Sequence, residues 1–408
     1  MPDYRLAIAP LALGTFAVGT EGLAVSGMLP EISAGLHVSV AAAGQLVTVF
    51  AVAYVLGAPL LAIYGSRIAP KHLLAGGLGL FAVGNVLAAL APTYGLMIAV
   101  RVLMALSAAA FVPTASAAGA ALAPPENRGK ALAVVWGGFT IATVTGVPIA
   151  ARIAGLVSWR WAFAFIAVLA SLAAIGIAAL VPHIDRSPTV TARDFLRVVR
   201  NPIVVGVVLI GFLMQSGQFL VYTYIAPVTR LITGGGNLMV TGALLLFGVA
   251  AIAGNALGGV GTDRIGSLRM VLASLTVFTA AYLVLGVLGG LAHSPLTFAL
   301  AAVTTIAWGI ASWAFVPPQQ AQLVRAAPQQ SAVALSLSVF AIYAGIAVGG
   351  ALGGVILADK HTDALPYAGA TLTAVALLVA VGADRWARQR DGRRPAESDA
   401  VPDEVSRP

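Results

Sequence analysis

Charged side chains are scarce in this 408-residue chain, where Asp, Glu, Lys and Arg together make up 9% of the residues. Soluble domains carry roughly 25%. A water-soluble globule needs a charged surface, so the composition argues against a soluble enzyme, a nucleic-acid-binding protein and a disordered chain. Cysteine is absent, which excludes disulfides, thiolate metal sites and iron–sulfur ligation.

Three further signals are missing. There is no G-x-x-x-x-G-K-[ST] sequence, so nothing supports ATP-driven transport by this chain. All five His residues fall in loops or at the ends of apolar runs, which leaves no evident proton relay or metal cluster. No pattern of a nucleophile with a base lies within the apolar runs either. We therefore expect no cofactor, no bound metal and no enzymatic activity.

Long apolar runs dominate what is present, and hydrophobic residues make up 59% of the chain. A membrane-crossing helix needs about 20 mostly apolar residues. Twelve runs meet this requirement, which predicts an all-α membrane protein with twelve spans. The runs are 6–29, 41–64, 73–92, 95–122, 130–154, 160–182, 202–226, 238–260, 269–290, 295–317, 331–356 and 366–384.

The distribution of Lys and Arg predicts the orientation. With the N-terminus inside, 18 of them lie on the inner side and only Arg160, Arg230 and Lys360 on the outer side. This bias explains the net charge of +8 as topology, without nucleic-acid binding. We expect a multi-pass protein of a bacterial inner membrane with both termini in the cytoplasm.

The longest internal break, 183–201, divides the spans into six plus six. The expected organisation is a six-helix bundle at 1–182, a cytoplasmic linker at 183–201, a second six-helix bundle at 202–385 and a disordered tail at 386–408. Within the linker, apolar residues alternate loosely with Arg193, Arg197 and Arg200. That pattern suits either a short surface helix or a plain polar linker.

The two halves are related by an internal repeat. A shift of 197 residues aligns Gly14 with Gly211, Pro30 with Pro227 and, at the end of the second span, Arg67 with Arg264. Both copies run in the same direction because six spans separate them. A parallel repeat of two six-span halves around a central cavity is the layout of major facilitator transporters.

Several motifs carry a resemblance to one family. They include Thr20-Glu21-Gly22, Leu29-Pro30-Glu31-Ile32, Gly57-Ala58-Pro59-Leu60-Leu61, Arg128-Gly129-Lys130-Ala131 and Pro317-Pro318-Gln319-Gln320-Ala321. Over about residues 6–384 the chain resembles the twelve-span drug:proton antiporters of the major facilitator superfamily, most closely their arabinose-efflux-permease-like members. The resemblance implies a cargo that is a drug, a sugar or a nucleoside, without selecting among them.

The family's loop motif follows the second span and returns after the eighth. The residues that correspond to it are Gly57, Ser66 and Arg67 in the first copy and Gly254, Asp263, Arg264 and Gly266 in the second. The acid can cap the next helix, and the Arg can pair with acids of adjoining helices. The resemblance implies that such pairs lock the inner ends of helices while the pump faces outward. Ser66 replaces the acid in the first copy, and a plain positive-inside turn is the alternative.

The fifth span resembles the glycine- and proline-rich signature of antiporters, through Gly138, Gly146 and Pro148. Small residues let helices approach closely, and proline bends a helix. Generic packing of small residues is the alternative.

Charges inside spans are costly and are functional candidates by default. Glu21 is the only acid deep in a span, and Arg101 in the fourth span lies at nearly the same depth. Because the first and fourth spans of the family fold both line the central cavity, we expect these residues to pair and to couple protons to transport. A purely structural ion pair is the alternative.

Under the 197-residue shift, Glu21 aligns with the neutral Gln218. Gln215 and Gln218 are candidates for hydrogen bonds to the cargo, with a contact between helices as the alternative. Candidate aromatic residues of the cavity are Trp136, Phe139, Tyr222, Trp308 and Tyr343, and packing or interfacial anchoring is the alternative for each.

Together these features predict a secondary transporter that exports a small organic molecule in exchange for protons. A facilitator or importer of the same fold is the alternative. A membrane receptor or sensor fits these sequence features less well. The expected partners are a small-molecule cargo, protons and the lipid bilayer, with no nucleic acid, and we expect a monomer.

Overall fold

The protein is predominantly helical over the residues that its computed structural model describes, which are 4–65, 67–184 and 192–391. No strand is present in these three ranges. The α-helices are α1 (Tyr4–Gly27), α2 (Leu29–Leu36), α3 (Val40–Gly65), α4 (Pro70–Leu90), α5 (Tyr94–Leu122), α6 (Arg128–Ile141), α7 (Val147–Leu156), α8 (Trp159–Leu180), α9 (Ala192–Val199), α10 (Pro202–Tyr222), α11 (Ile225–Thr233), α12 (Asn237–Ile265), α13 (Ser267–Gly289), α14 (Pro295–Ala314), α15 (Val316–Ala326), α16 (Ser331–Ala358) and α17 (Ala364–Asp391).

Twelve stretches of the described chain are long and apolar enough to cross a membrane, which confirms the predicted number. Two of them combine more than one element. The fifth joins α6 and α7 through a π-helical segment, Ala142–Gly146, and the tenth joins α14 and α15. The tenth stretch runs to Ala326, beyond the predicted end at 317, because Pro317 and Pro318 lie in the first turn of α15, where their missing N–H groups cost nothing.

Helices α1–α8 form the first half of the molecule and α10–α17 the second. In the first half α1 packs against α6 and α8, and α4 packs against α5 and α8. In the second half α10 packs against α16 and α17, and α12 packs against α14. The halves meet where α3 packs against α16 and where α12 packs against α7 and the π segment. We call the first of these contacts the α3–α16 seam.

The repeat is visible in the helix boundaries. Helix α12 begins 197 residues after α3, the same offset that aligns the two halves of the sequence. In each half a long helix is followed by a short one, α1 by α2 and α10 by α11. The short helices lie at the same end of the molecule, where residues of α2 and α11 contact each other. We call it the α2–α11 end, and the Lys and Arg bias predicts that it is extracellular.

The linker and the tail differ in part from expectation. Part of the linker is helical, as α9, and the buried Val198 packs with Val204 and Leu323, so this helix rests on the second half. Residues 185–191 lie outside the described part of the chain. Helix α17 continues to Asp391, so the tail predicted from residue 386 was placed too early. No Gly or Pro interrupts the chain between Gly382 and Gly392, and Arg and Gln are good helix formers. Residues 392–408 lie outside the described ranges.

Candidate functional site

A buried ion pair joins Glu21 on α1 to Arg101 on α5. Both side chains are 0% exposed. Nε of Arg101 donates a hydrogen bond to the carbonyl of Leu46 on α3 at 3.0 Å, and the guanidinium lies 4.6 Å from the centroid of the Phe50 ring. Three helices of the first half therefore enclose these two charges. A carboxyl group that is fully removed from water inside a membrane-spanning bundle can exchange a proton with the surrounding water only when the helices around it rearrange.

The counterpart of Glu21 in the second half lies in a different environment. The carbonyl of Gln218 accepts a hydrogen bond from the Tyr282 hydroxyl at 3.0 Å. Its side-chain oxygen is buried and has no hydrogen-bond partner among the described residues. A buried amide without a partner is costly, which makes this group available to a ligand.

Tyr222 and Trp308, two candidate cavity residues, belong to an aromatic cluster inside the second half. Trp308 packs against Tyr222, Phe247 and Tyr282 with centroid separations of 6.1, 4.7 and 5.3 Å. Trp308 also borders a mostly apolar cavity of about 150 Å³ that is lined by residues of α10, α11, α12, α13 and α14. Trp308 Nε1 has no hydrogen-bond partner within the described ranges.

The remaining cargo candidates are dispersed. Gln215 packs against Gly345 of α16, within the second half. Tyr343 lies at the α3–α16 seam and stacks on Tyr54 with a centroid separation of 3.6 Å. Phe139 of α6 packs against Gly19 of α1, whereas Trp136 is 45% exposed. The structure thus groups Gln218, Tyr222 and Trp308 and leaves the other four candidates apart from them.

The predicted antiporter helix contains a local irregularity that the sequence analysis missed. At Gly138 a Cβ atom would clash with the carbonyl of Ala12 on α1, and at Gly146 it would clash with the Thr20 side chain. The π segment begins four residues after Gly138 and ends at Gly146, and Pro148 follows in the first turn of α7. π-helical turns are frequent at functional sites. Thr20 is the residue before Glu21, so this segment contacts α1 next to the position that carries the acid of the ion pair.

The two loop motifs are less complete in the structure than the resemblance implied. Gly57 permits a close contact with Leu106 of α5, and Gly254 permits one with Ile310 of α14. Arg67 is exposed and lies over the Tyr64 ring, and Ser66 is outside the described residues. These glycines tie the second and eighth spans to their neighbours.

The capping role predicted for Asp263 is wrong. Helix α12 continues through Asp263 and Arg264 to Ile265, because nothing interrupts it before Gly266, whose φ of 86° ends it. The residue before α13 is therefore Gly266, which has no side chain to cap that helix. Asp263 is exposed and has no ion-pair partner among the described residues. At this end of α13 the contact is made by Arg325 of α15, which donates to the Ser267 hydroxyl.

Polar contacts hold the halves together at the α2–α11 end, and none of them was predicted. Arg230 on α11 pairs with Glu31 on α2. Gln45 of α3 donates to the hydroxyl of the fully buried Tyr224 at 3.4 Å, which is a second contact between the halves. Within the second half, the Tyr224 hydroxyl donates to the carbonyl of Gly350 at 2.9 Å.

Glycines make room for the Tyr224 ring. A Cβ atom on Gly44 of α3, or on Gly353 of α16, would clash with this ring, and one on Gly354 would crowd its hydroxyl. We call these three glycines, together with Gly350, whose carbonyl accepts the Tyr224 hydrogen bond, the glycine socket. The helix break that Pro30 and Pro227 mark in both repeats was the signal in the sequence for this end of the molecule.

A family model described as Major Facilitator Superfamily matches residues 11–350 of the chain. The chain is 33% identical over 372 residues to an inner membrane transport protein, YdhP, of Escherichia coli, which covers 90% of this chain and 93% of the relative. It is also 33% identical over 268 residues to a chloramphenicol resistance protein of Streptomyces lividans, covering 65% of this chain and 67% of the relative.

Among solved structures, the fold is similar to that of a bacterial homologue of the human lysosomal transporter Spinster in an inward-facing and occupied conformation. The TM-score is 0.75 at 16% sequence identity, and the match covers 94% of this chain and 98% of that one. At this identity the likeness concerns the fold alone.

Proposed function

The chain belongs to the Major Facilitator Superfamily and is a membrane transporter rather than an enzyme, and on this premise we propose that it exports a small organic compound in exchange for protons. The observation that carries the proposal is the Glu21–Arg101 pair, whose side chains are both 0% exposed. Charged groups inside a membrane are costly and are retained where they have a function.

The chemistry of this pair suits a proton carrier. When Glu21 takes up a proton it becomes neutral, and its electrostatic attraction to Arg101 is lost. Among the described residues, Arg101 then keeps the Leu46 carbonyl and the Phe50 ring as partners. Since α1 and α5 both contribute to the pair, protonation changes how strongly these two helices are held together.

Alternating access also has support in the described contacts. The Glu31–Arg230 pair and the hydrogen bond from Gln45 to the Tyr224 hydroxyl join the two halves at the α2–α11 end in this structure. At the opposite end, the exposed Asp263 is not engaged in an ion pair within the described ranges, as expected while the lock at that end is open. If the Lys and Arg bias gives the correct orientation, the conformation faces the cytoplasm, where an exporter loads its cargo.

The proposed cargo class is argued from a relative and from the aromatic cluster. The relative from Streptomyces lividans is named for chloramphenicol resistance, and the resemblance in sequence motifs is to drug, sugar and nucleoside exporters. The aromatic cluster around Trp308, together with the free amide oxygen of Gln218, would suit a partly apolar molecule that carries a hydrogen-bond donor.

The proposal is tested with purified protein reconstituted in liposomes that contain a pH-sensitive dye. A panel of drugs, sugars and nucleosides, with chloramphenicol included, is added under an imposed pH gradient. We expect the pH gradient to drive the accumulation of at least one compound. We also expect a concentration gradient of that compound to drive protons in the opposite direction. A facilitator would equilibrate the compound without moving protons, and a receptor would not move it at all. Either result would overturn the proposal.

A further inference from the structure

A continuous path of side chains leads from the buried ion pair to the α3–α16 seam. The guanidinium of Arg101 lies 4.6 Å from the Phe50 ring centroid. Phe50 and Tyr54 follow one another by one turn of α3, with centroids 6.5 Å apart and ring planes inclined by 30°. Tyr54 then stacks on Tyr343 of α16, with centroids 3.6 Å apart and planes inclined by 12°. We call Phe50, Tyr54 and Tyr343 the aromatic path.

The path crosses from one half of the protein to the other. Arg101 and Phe50 belong to the first half, and Tyr343 belongs to the second. Phe50 is 5% exposed and Tyr54 is 2% exposed, so neither ring has free space in which to move independently. Closely packed interiors transmit displacements because their side chains occupy discrete positions.

The first contact of the path depends on the charge of Glu21. An Arg that is paired with a carboxylate shares its charge between that carboxylate and the ring beneath it. When the carboxylate is neutralised, the guanidinium is left with the Leu46 carbonyl and the Phe50 ring, and its attraction to the ring face then holds it in place. Protonation of Glu21 therefore changes the force on Phe50, and the next ring along α3 is Tyr54.

We propose that Phe50, Tyr54 and Tyr343 are positioning residues that transmit the protonation state of Glu21 to the contact between the two halves. The inference rests on the proposed proton coupling at Glu21 and adds the route by which it acts. The halves must separate along the α3–α16 seam when the α2–α11 end opens, and the Tyr54–Tyr343 stack is an aromatic contact that crosses this seam. An altered stack would shift the equilibrium between the two conformations.

Thr48 provides a reporter of the seam. Its hydroxyl is buried, has no hydrogen-bond partner among the described residues and faces Gly350 of α16. Thr48→Cys is nearly isosteric, and the chain contains no other cysteine. The rate at which a water-soluble maleimide labels this cysteine in purified protein measures how often the seam opens. Labelling of the denatured protein at each pH corrects for ionisation of the thiol itself.

The experiment compares labelling at about pH 5 and about pH 8, two conditions that differ in how strongly they favour a protonated carboxyl. In the Thr48→Cys background we expect the corrected rate to differ between the two pH values. Glu21→Gln should abolish that difference. Phe50→Leu, Tyr54→Leu and Tyr343→Leu should abolish it as well, although Glu21 is still present. The double variant Tyr54→Leu/Tyr343→Leu should behave like either single variant, because both changes break the same contact.

Two further variants separate transmission from general damage. Tyr54→Phe keeps the ring and should retain the pH response. Phe163→Leu removes a fully buried ring of the first half that packs against Trp159, away from the path, and it should also retain the response.

The two hypotheses fail in distinguishable ways. If the Thr48→Cys protein shows a pH response and Glu21→Gln leaves it intact, proton coupling at Glu21 is overturned, and the route with it. A response that Glu21→Gln abolishes, but that the Leu variants of the path retain, would overturn the route alone. Loss of the response in Phe163→Leu as well would mean that any loss of packing in the first half suffices, which also contradicts the route.

Discussion

Nη2 of Arg230 donates to Oε1 of Glu31 at 2.9 Å, and this ion pair joins α11 of the second half to α2 of the first. The Arg230 side chain is 37% exposed and that of Glu31 is 18% exposed, so water screens the pair in part. The two short helices occupy equivalent places in the repeat. Opening of the α2–α11 end must therefore break this contact between the halves.

Neutralising the pair should favour the open α2–α11 end to a limited extent. Partly exposed ion pairs contribute about 0.2–1 kcal/mol, so Glu31→Gln should raise the labelling of Cys at Thr48 by about fivefold at most. The charge reversal Glu31→Arg should have a larger effect, because it adds repulsion. The combination Glu31→Arg/Arg230→Glu should return the rate toward that of the parent. A double variant that is as open as the single reversal would show that the pair does not hold this end closed.

The glycine socket should be far less tolerant than the ion pair. Gly44→Ala places a methyl group against the Tyr224 ring, which must then leave its position between α3 and α16. We expect Gly44→Ala to open the α2–α11 end and to reduce transport by about tenfold or more, in line with the cost of overpacking a core. Gly76→Ala is the matched control, because a Cβ on this helical glycine meets no atom within 4 Å. Equal activity of the two variants would contradict the role of the socket.

The orientation is a prediction of its own and rests on the bias of Lys and Arg. Cys introduced at Ser294 or at His361 should react with an impermeant thiol reagent added to intact cells, and Cys at Ser187 should not. Since the chain has no cysteine, no background labelling arises from the protein itself. The reverse pattern would place the α2–α11 end in the cytoplasm and would make the conformation described here an outward-facing one.

The two loop copies should differ in importance. Asp263→Asn should impair transport more than Ser66→Ala, because only the second copy keeps an acid that can pair when its end of the bundle closes. In this structure Asp263 is exposed, so its replacement should leave thermal stability nearly unchanged while slowing the transport cycle. Transport rates and melting temperatures of both variants provide the measurement. An equal loss of transport in the two variants would argue against an asymmetric lock.

The sequence predicted those features that are governed by polarity over long stretches. Twelve spans follow from apolar runs, and the Glu21–Arg101 pair follows from two isolated charges at similar depth in helices that the family fold places together. The Glu31–Arg230 pair and the glycine socket around Tyr224 were missed because they join residues that are far apart in the chain. Each of those residues is unremarkable within its own segment. The capping role given to Asp263 was wrong because a local motif does not show where the helix before it ends.

The most informative variants concern Glu21 and Arg101, because stability and coupling can be separated there. Glu21→Gln keeps the size of the side chain and its hydrogen-bonding capacity, so the variant should fold and can be compared directly with the parent protein. The amide cannot carry a proton. Proton-driven accumulation of cargo should be lost, while downhill exchange of cargo continues. Arg101→Ala should be more damaging, because it leaves a buried carboxyl without its partner, at a cost of about 3–5 kcal/mol in stability.

Removing both charges distinguishes the two effects. Glu21→Leu/Arg101→Met replaces a buried ion pair with apolar side chains of similar volume, a change that is often neutral or stabilising. This double variant should therefore recover the melting temperature that Arg101→Ala loses. It should nevertheless fail to move protons with cargo, since no carboxyl group is left in α1 or α5. Cargo-driven proton movement by the purified double variant decides the point. If it equals that of the parent, the pair serves only to stabilise the first half, and the coupling site lies elsewhere.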